Sequence, residues 1–214
     1  GGRGDRRSPR PPHAWYTIVV MSYQTYTTDA LVCGSYDRNT ADRSYLLFTR
    51  EAGMLFATAR SVREERSKQR CALQDFSLVR VSLVKGKSGW RVGSVEALDN
   101  VFLRSPHRQS RGAVVAVVRL LRRYVHGADV ASYVFDDVLA VLYTVVDRAS
   151  ASVDAWLQVC ELRLLHTLGY VKSNRTCHAL IMTPTITEAM TRYEPVHASI
   201  IDQVLRTAAD ASHL

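Results

Sequence analysis

Short aromatic and apolar runs set off by turn residues fill the first half of this chain, and the spacing then switches to a helical period. Thr28–Tyr36 and Ser44–Thr49 are rich in aromatic and apolar residues, and the turn Glu51-Ala52-Gly53 separates the second run from Met54–Ala59. In Ser77–Lys85, Val79, Val81 and Leu83 fall on one face, with Arg80 and Ser82 on the other. Gly86-Lys87-Ser88-Gly89 reads as a hairpin loop and Trp90–Val95 as the returning strand. Five short strands between Thr27 and about Leu103 predict a small closed barrel, because closure removes exposed strand edges.

Beyond Pro106 the spacing becomes helical. Ser110 is expected to cap a helix carrying Val114, Val117, Val118 and Leu121. A second apolar helix is expected from about Tyr133 to Arg148. A third, capped by Ser152, keeps Leu157, Glu161, Leu164, Leu165 and Leu168 in register and stops at Gly169 in the C′ position. The pattern weakens after Lys172 until a final helix near Pro195–Ala211, where Ala198, Ile201, Leu205 and Ala208 share a face. The expected fold class is therefore α+β, all-β then all-α, with a five-stranded barrel over residues 25–104 and a helical domain over 105–214. Residues 1–24 begin with Gly, Pro and Arg and few apolar positions, so they are expected to form a disordered extension, with Met21 as the native start.

Composition adds little until its distribution is considered. Hydrophobic residues make up 47% and charged residues 22% of the 214, an ordinary globular balance. The formal charge of +8 points to an anionic partner. That charge is uneven: Arg60 to Arg91 holds nine basic residues against Glu64, Glu65 and Asp75, a net +6, whereas residues 171–214 are neutral. No apolar run matches a membrane span. The four cysteines, Cys33, Cys71, Cys160 and Cys177, form no C-x-x-C pair and read as buried, reduced thiols of a cytoplasmic protein.

Catalytic readings fail for want of residues. Gly86-Lys87-Ser88 looks like the end of a phosphate-binding loop, but the required first glycine falls at Val81 and the segment joins two strands. The histidines are scattered, no G-x-S-x-G elbow is present, and Asp136-Asp137 sits in a helical pattern where one carboxylate faces solvent by default. No cofactor is implied.

The strongest constellation is Ala59-Arg60-Ser61-Val62-Arg63-Glu64-Glu65-Arg66-Ser67-Lys68-Gln69-Arg70, directly after a strand. One reading is a solvated loop or helix whose glutamates balance its arginines. The other is a phosphate-contacting rim, since guanidinium forks donate paired hydrogen bonds to phosphate oxygens and Ser67 adds another donor. The expected DNA-binding set is Arg43, Arg60, Arg63, Arg66, Ser67, Lys68, Arg70, Lys85, Lys87, Trp90 and Arg91. Tyr45, Phe48, Phe56 and Phe76 are expected to be mostly core, leaving Trp90 as the candidate for stacking on bases. Arg119, Arg122 and Arg123 are candidates for docking a protein partner.

These residues also resemble a known family. Thr40-Ala41-Asp42-Arg43, Leu47-Phe48-Thr49-Arg50-Glu51-Ala52-Gly53, Ala59-Arg60-Ser61-Val62-Arg63 with Ser67, and Leu73-Gln74-Asp75-Phe76 are similar, in order, to the RecO signature. Glu161-Leu162-Arg163-Leu164-Leu165-His166-Thr167-Leu168-Gly169-Tyr170 is similar to the close of that family's main helical block. The resemblance runs from about Tyr26 to Tyr170. It places Arg60 at the family's lysine and Ser61 at its glycine. It implies an oligonucleotide-binding (OB) barrel and a scaffold that binds single- and double-stranded DNA, anneals strands, and works with RecR and single-stranded DNA-binding protein to load the RecA recombinase. Many members follow Gly-Tyr with two C-x-x-C zinc pairs. Val171 to Tyr193 offers only Cys177, so no structural metal is expected. A general single-strand binder and a protein-interaction adaptor are the alternatives.

Overall fold

A computed structural model describes residues 25–64, 67–127, 132–147 and 153–212. The expected extension over residues 1–24, Arg66 and the expected cap Ser152 lie outside the described residues, as does the side chain of Lys68. Five strands, β1 (Thr25–Asp37), β2 (Arg43–Thr49), β3 (Gly53–Ala59), β4 (Ser77–Gly86) and β5 (Gly89–Asn100), close into a barrel in the order β1-β2-β3-β5-β4. All pairings are antiparallel except β3 with β5, which meet in parallel only at Ala57↔Trp90 and Thr58↔Arg91. A short helix, α1 (Lys68–Ala72), lies between β3 and β4 in sequence, and Gln69 donates to the Gly93 carbonyl of β5 at 2.8 Å. The fold is α+β with an OB barrel in front.

The period of two sorts each strand into two environments. Ala30, Val32, Tyr45, Leu47, Ala57, Ala59, Val79, Val81 and Leu83 fill the barrel interior, joined by Val62 and Leu73 from the β3–β4 connection. The alternate residues Leu31, Cys33, Leu46, Phe48, Met54 and Leu78 point outward. They belong to one apolar cluster with the helices.

Those helices are α2 (Val101–Arg104), α3 (Arg108–Tyr124), α4 (Ser132–Asp147), α5 (Val153–Thr167), α6 (His178–Met182), α7 (Ile186–Thr191) and α8 (Pro195–Ser212). Phe48 of β2 meets Phe135 of α4, ring centroids 5.4 Å apart. The Met54 N–H donates to the Gly127 carbonyl just beyond α3 at 2.9 Å, and Arg50 pairs with Asp136 at 2.9 Å. Gly169 adopts φ 81° after α5, which lets the Tyr170 N–H reach back to the Leu165 carbonyl at 2.9 Å. None of the helices among the described residues is long and apolar enough to cross a membrane.

Several expectations change. Ser110 does not cap α3, which starts at Arg108 with His107 at the N-cap; the Ser110 hydroxyl is buried without a partner among the described residues. Cys33, Cys160 and Cys177 are buried but Cys71 is exposed. Burial pushes the Cys33 and Cys160 thiols up to about 12, so both stay protonated near neutrality. Of the two adjacent carboxylates, Asp136 is the exposed one, and Asp137 is buried against Arg163 at 2.7 Å. Helices α6 and α7 have no signature in the sequence, because five or six residues are too few to display a 3.6-residue period.

Candidate nucleic-acid interface

The connection leaving β3 reverses sharply. Arg60 is exposed, Ser61 takes a left-handed conformation with φ 49°, and Val62 turns into the barrel core. Three bonds tie this loop to the β1–β2 hairpin. The Ser61 N–H donates to Asp42 Oδ1 at 3.0 Å, the Arg63 N–H to the Ala41 carbonyl at 3.1 Å, and the Arg63 guanidinium to the Asn39 carbonyl at 2.8 Å. The Ser61 N–H holds the Asp42 carboxyl below its ordinary range, with smaller contributions from Asn39 and the nearby arginines. Asp42 thus keeps its charge, and the loop its anchor, in moderately acidic solution; the anchor weakens as pH falls through that lowered value.

A left-handed backbone costs an L-residue about 1–2 kcal/mol, part of which glycine recovers. The resemblance places glycine where Ser61 stands, and the Ser61 hydroxyl makes no hydrogen bond to a described residue. Ser61→Gly is therefore expected to raise stability by roughly 0.5–1 kcal/mol. A thermal melt checks this; a lowered midpoint would contradict it.

Charge collects on both sides of this loop. On one side Arg43, Arg63 and Arg70 line a pocket of about 230 Å³ over Tyr45 and Val62. Asp37 engages two of these arginines, at 2.8 Å to Arg43 and 3.6 Å to Arg63. The Asp37 bond raises the Arg43 guanidinium, and burial pushes the Tyr45 hydroxyl up. On the other side Arg60, Gln69 and Arg91 line a second pocket of about 430 Å³ with Val84 and Val92. Arg91 is half-buried, and its Nε is buried with no hydrogen-bond partner among the described residues. Exposed Lys85 and Lys87 stand on the β4–β5 hairpin, with Lys85 Nζ 5.4 Å from the Trp90 ring centroid.

The expected cations therefore separate into two classes. Arg43 and Arg63 are occupied by Asp37 and hold the loop. Arg60, Arg70, Lys85, Lys87 and Arg91 make no ion pair among the described residues. Lys68 and Ser67 begin α1; Ser67 is half-buried at its N-cap with no side-chain capping bond. Trp90 is half-buried against the barrel interior. The exposed barrel aromatics are instead Phe56 at 58% and Tyr36 at 44%. Arg119, Arg122 and Arg123 are exposed on α3, apart from this loop; Arg122 donates to the Tyr36 hydroxyl at 2.9 Å and Arg123 lies over the Tyr124 ring. Among the described residues no three His, Cys, Asp or Glu side chains are grouped to hold a metal.

Comparison with known proteins gives this arrangement a family. The family described as "Recombination protein O N terminal" matches residues 21–101, which spans the whole barrel. The DNA repair protein RecO of Syntrophotalea carbinolica is 30% identical over 147 residues, 67% of this chain and 56% of the relative. The chain belongs to the RecO family. A second RecO, from Desulfitobacterium hafniense (strain DSM 10664 / DCB-2), is 43% identical over 63 residues, 29% of this chain and 23% of that relative. The chain thus spans from under a quarter to just over half of the RecO relatives it matches. In RecO terms, the left-handed Ser61 lies inside the matched barrel, in the loop that also carries Arg60 and Arg63.

Proposed function

We propose that this chain is a non-catalytic DNA-binding mediator of recombinational repair, acting in the cytoplasm at the nucleoid. The observation that carries the reading is the set of five cations, Arg60, Arg70, Lys85, Lys87 and Arg91, which make no ion pair to a described residue, around one end of an OB barrel of the RecO family. Cations without carboxylate partners are available to phosphate oxygens, which dominate affinity for nucleic acid. Arg66, Ser67 and Lys68 stay in the proposed DNA-binding set on the sequence reading, and Arg43 and Arg63 shape the loop. Such a surface screens repulsion between two phosphate backbones while their bases pair, so annealing needs no bond chemistry. The substrates are single- and double-stranded DNA. The protein partners follow from the family: a RecR-type mediator and single-stranded DNA-binding protein directly, and the RecA recombinase through them. The helical half, with Arg119 on its surface, is assigned to those protein contacts.

A salt titration tests the reading. With about five phosphates neutralised, the log–log slope of affinity against salt on a labelled single strand is expected near −3 to −4. Affinity should change little with base sequence, and complementary strands should anneal faster in the protein's presence. A flat salt dependence would remove the basis of the proposal. DNA binding with normal salt dependence but no annealing would favour a general single-strand binder instead.

A further inference from the structure

The helical half covers only part of the outer barrel face formed by β1, β2 and β3. Leu46, Phe48 and Met54 point outward from that face and reach the helical cluster, and the cover is pinned where Met54 bonds to Gly127. Further along the same outward row of β3, Phe56 is 58% exposed, and Tyr36 of β1 lies beside it with ring centroids 5.9 Å apart and planes tilted by 58°. Leu46, Met54 and Val125 form the rest of an apolar pocket of about 360 Å³, with Arg122 and His126 at its margin. Two large exposed rings side by side on a strand face, at the edge of an apolar pocket, mark a candidate contact surface.

Charge selects the kind of occupant. Among the described residues no carboxylate lines the pocket. A guanidinium stands on each side: Arg122 bonds to the Tyr36 hydroxyl at 2.9 Å, and Arg38 bonds to the Thr58 hydroxyl at 2.8 Å, two residues beyond Phe56 on the same outward row. The β1–β2 hairpin that carries Arg38 also receives the Arg63 and Ser61 bonds, so it links this face to the basic loop. Aromatic faces flanked by guanidinium groups match an unpaired base with a phosphate on either side.

We infer that Tyr36 and Phe56 form a stacking platform for an unpaired base of a single strand, with Arg38 and Arg122 holding the flanking phosphates. The inference rests on the DNA-binding reading above and adds strand discrimination to it. The cations around Arg60 and Lys87 meet any phosphate backbone, single or double. Bases inside a duplex are already paired and stacked, so the platform serves only single strands. It also reassigns Arg122 from the protein-docking set to the DNA surface.

The test compares wild type with a Tyr36→Ala, Phe56→Ala double variant on a labelled oligo(dT) strand and on a duplex, at one low salt concentration. Stacking losses of this kind correspond to roughly a ten- to hundred-fold weaker single-strand affinity. Duplex affinity is expected to stay within about twofold, with an unchanged melting temperature. A Phe56→Trp variant provides a readout that does not depend on losing affinity: saturating oligo(dT) should quench its added fluorescence. If wild type binds DNA but the double variant binds oligo(dT) equally well, or the Phe56→Trp emission does not respond, the inference is overturned and the face belongs to a protein ligand. If wild type shows no salt-dependent binding at all, the DNA-binding reading fails and this inference fails with it.

Discussion

Replacing Arg163 with alanine is expected to lower stability by about 3–5 kcal/mol, because it leaves the Asp137 carboxylate buried without its counter-charge. Arg163 and Asp137 are only 5% and 8% exposed and meet at 2.7 Å. The rest of each side chain is also used. One Arg163 terminal nitrogen donates to the carbonyls of Leu180, Ile181 and Thr183 at 2.9 to 3.0 Å, and Asp137 Oδ1 accepts the Ile186 N–H at 2.8 Å. The pair thereby clamps the α6–α7 segment, too short to hold itself, onto α4 and α5. Replacing both partners by apolar residues should not rescue the loss, since the Ile181 and Thr183 carbonyls and the Ile186 N–H would still lose the partners that Arg163 and Asp137 supply. A typical domain has about 5–15 kcal/mol in total, so urea unfolding should show the midpoint moving sharply. A change below about 1 kcal/mol would mean that the pair is more hydrated than its burial indicates.

The second large effect is expected at the barrel. Reversing Arg60, Arg70 and Lys87 together to glutamate should weaken DNA binding strongly and flatten the salt slope on single strands by about two, at roughly 0.7 for each phosphate no longer neutralised. All three side chains are exposed and make no ion pair among the described residues, so each change should alter stability by about 0.5 kcal/mol or less. Arg63 is left out on purpose. It anchors the loop through Asn39 and Asp37, and its reversal would mix a folding defect with a binding one. The matching control is Arg119→Glu on α3, expected to leave DNA affinity unchanged. If the helix variant loses DNA binding and the barrel variant keeps it, the assignment of roles to the two halves is inverted.

The barrel was legible because its strands are short aromatic and apolar runs set off by turn residues, with clean alternation in Ser77–Lys85: the patterns over Ser44–Thr49, Met54–Ala59 and Ser77–Lys85 each fall within a residue of the observed strand limits. The helix ends were less so, as Ser110 illustrates. A serine at the start of an apolar period looks like a cap whether or not the helix begins two residues sooner. Arg163 was hidden because the polar residues of α5 are spread around the helix rather than gathered on one face, and nothing local marks which of them turns inward. The basic loop was visible as a run of charges, but the division of labour within it was not. Asp37 ends β1 and faces Arg43 across the β1–β2 hairpin, but only the fold brings Arg63, from the far side of β3, to the same carboxylate. Phe56 was likewise indistinguishable from its inward neighbours until the helices were seen to stop short of it.

The shared apolar cluster has a further consequence. Leu31, Cys33, Leu46, Phe48, Met54 and Leu78 lie on the barrel yet are packed by the helices, so the change of architecture near residue 104 is not a seam in the packing. A barrel cut free there would present a greasy flank to water, and the helices would lose the wall they lean on. The two halves should therefore melt together in one transition. A lesion in the helical half, even one as remote from the arginine loop as Arg163, would then reach DNA affinity through the fraction of molecules still folded.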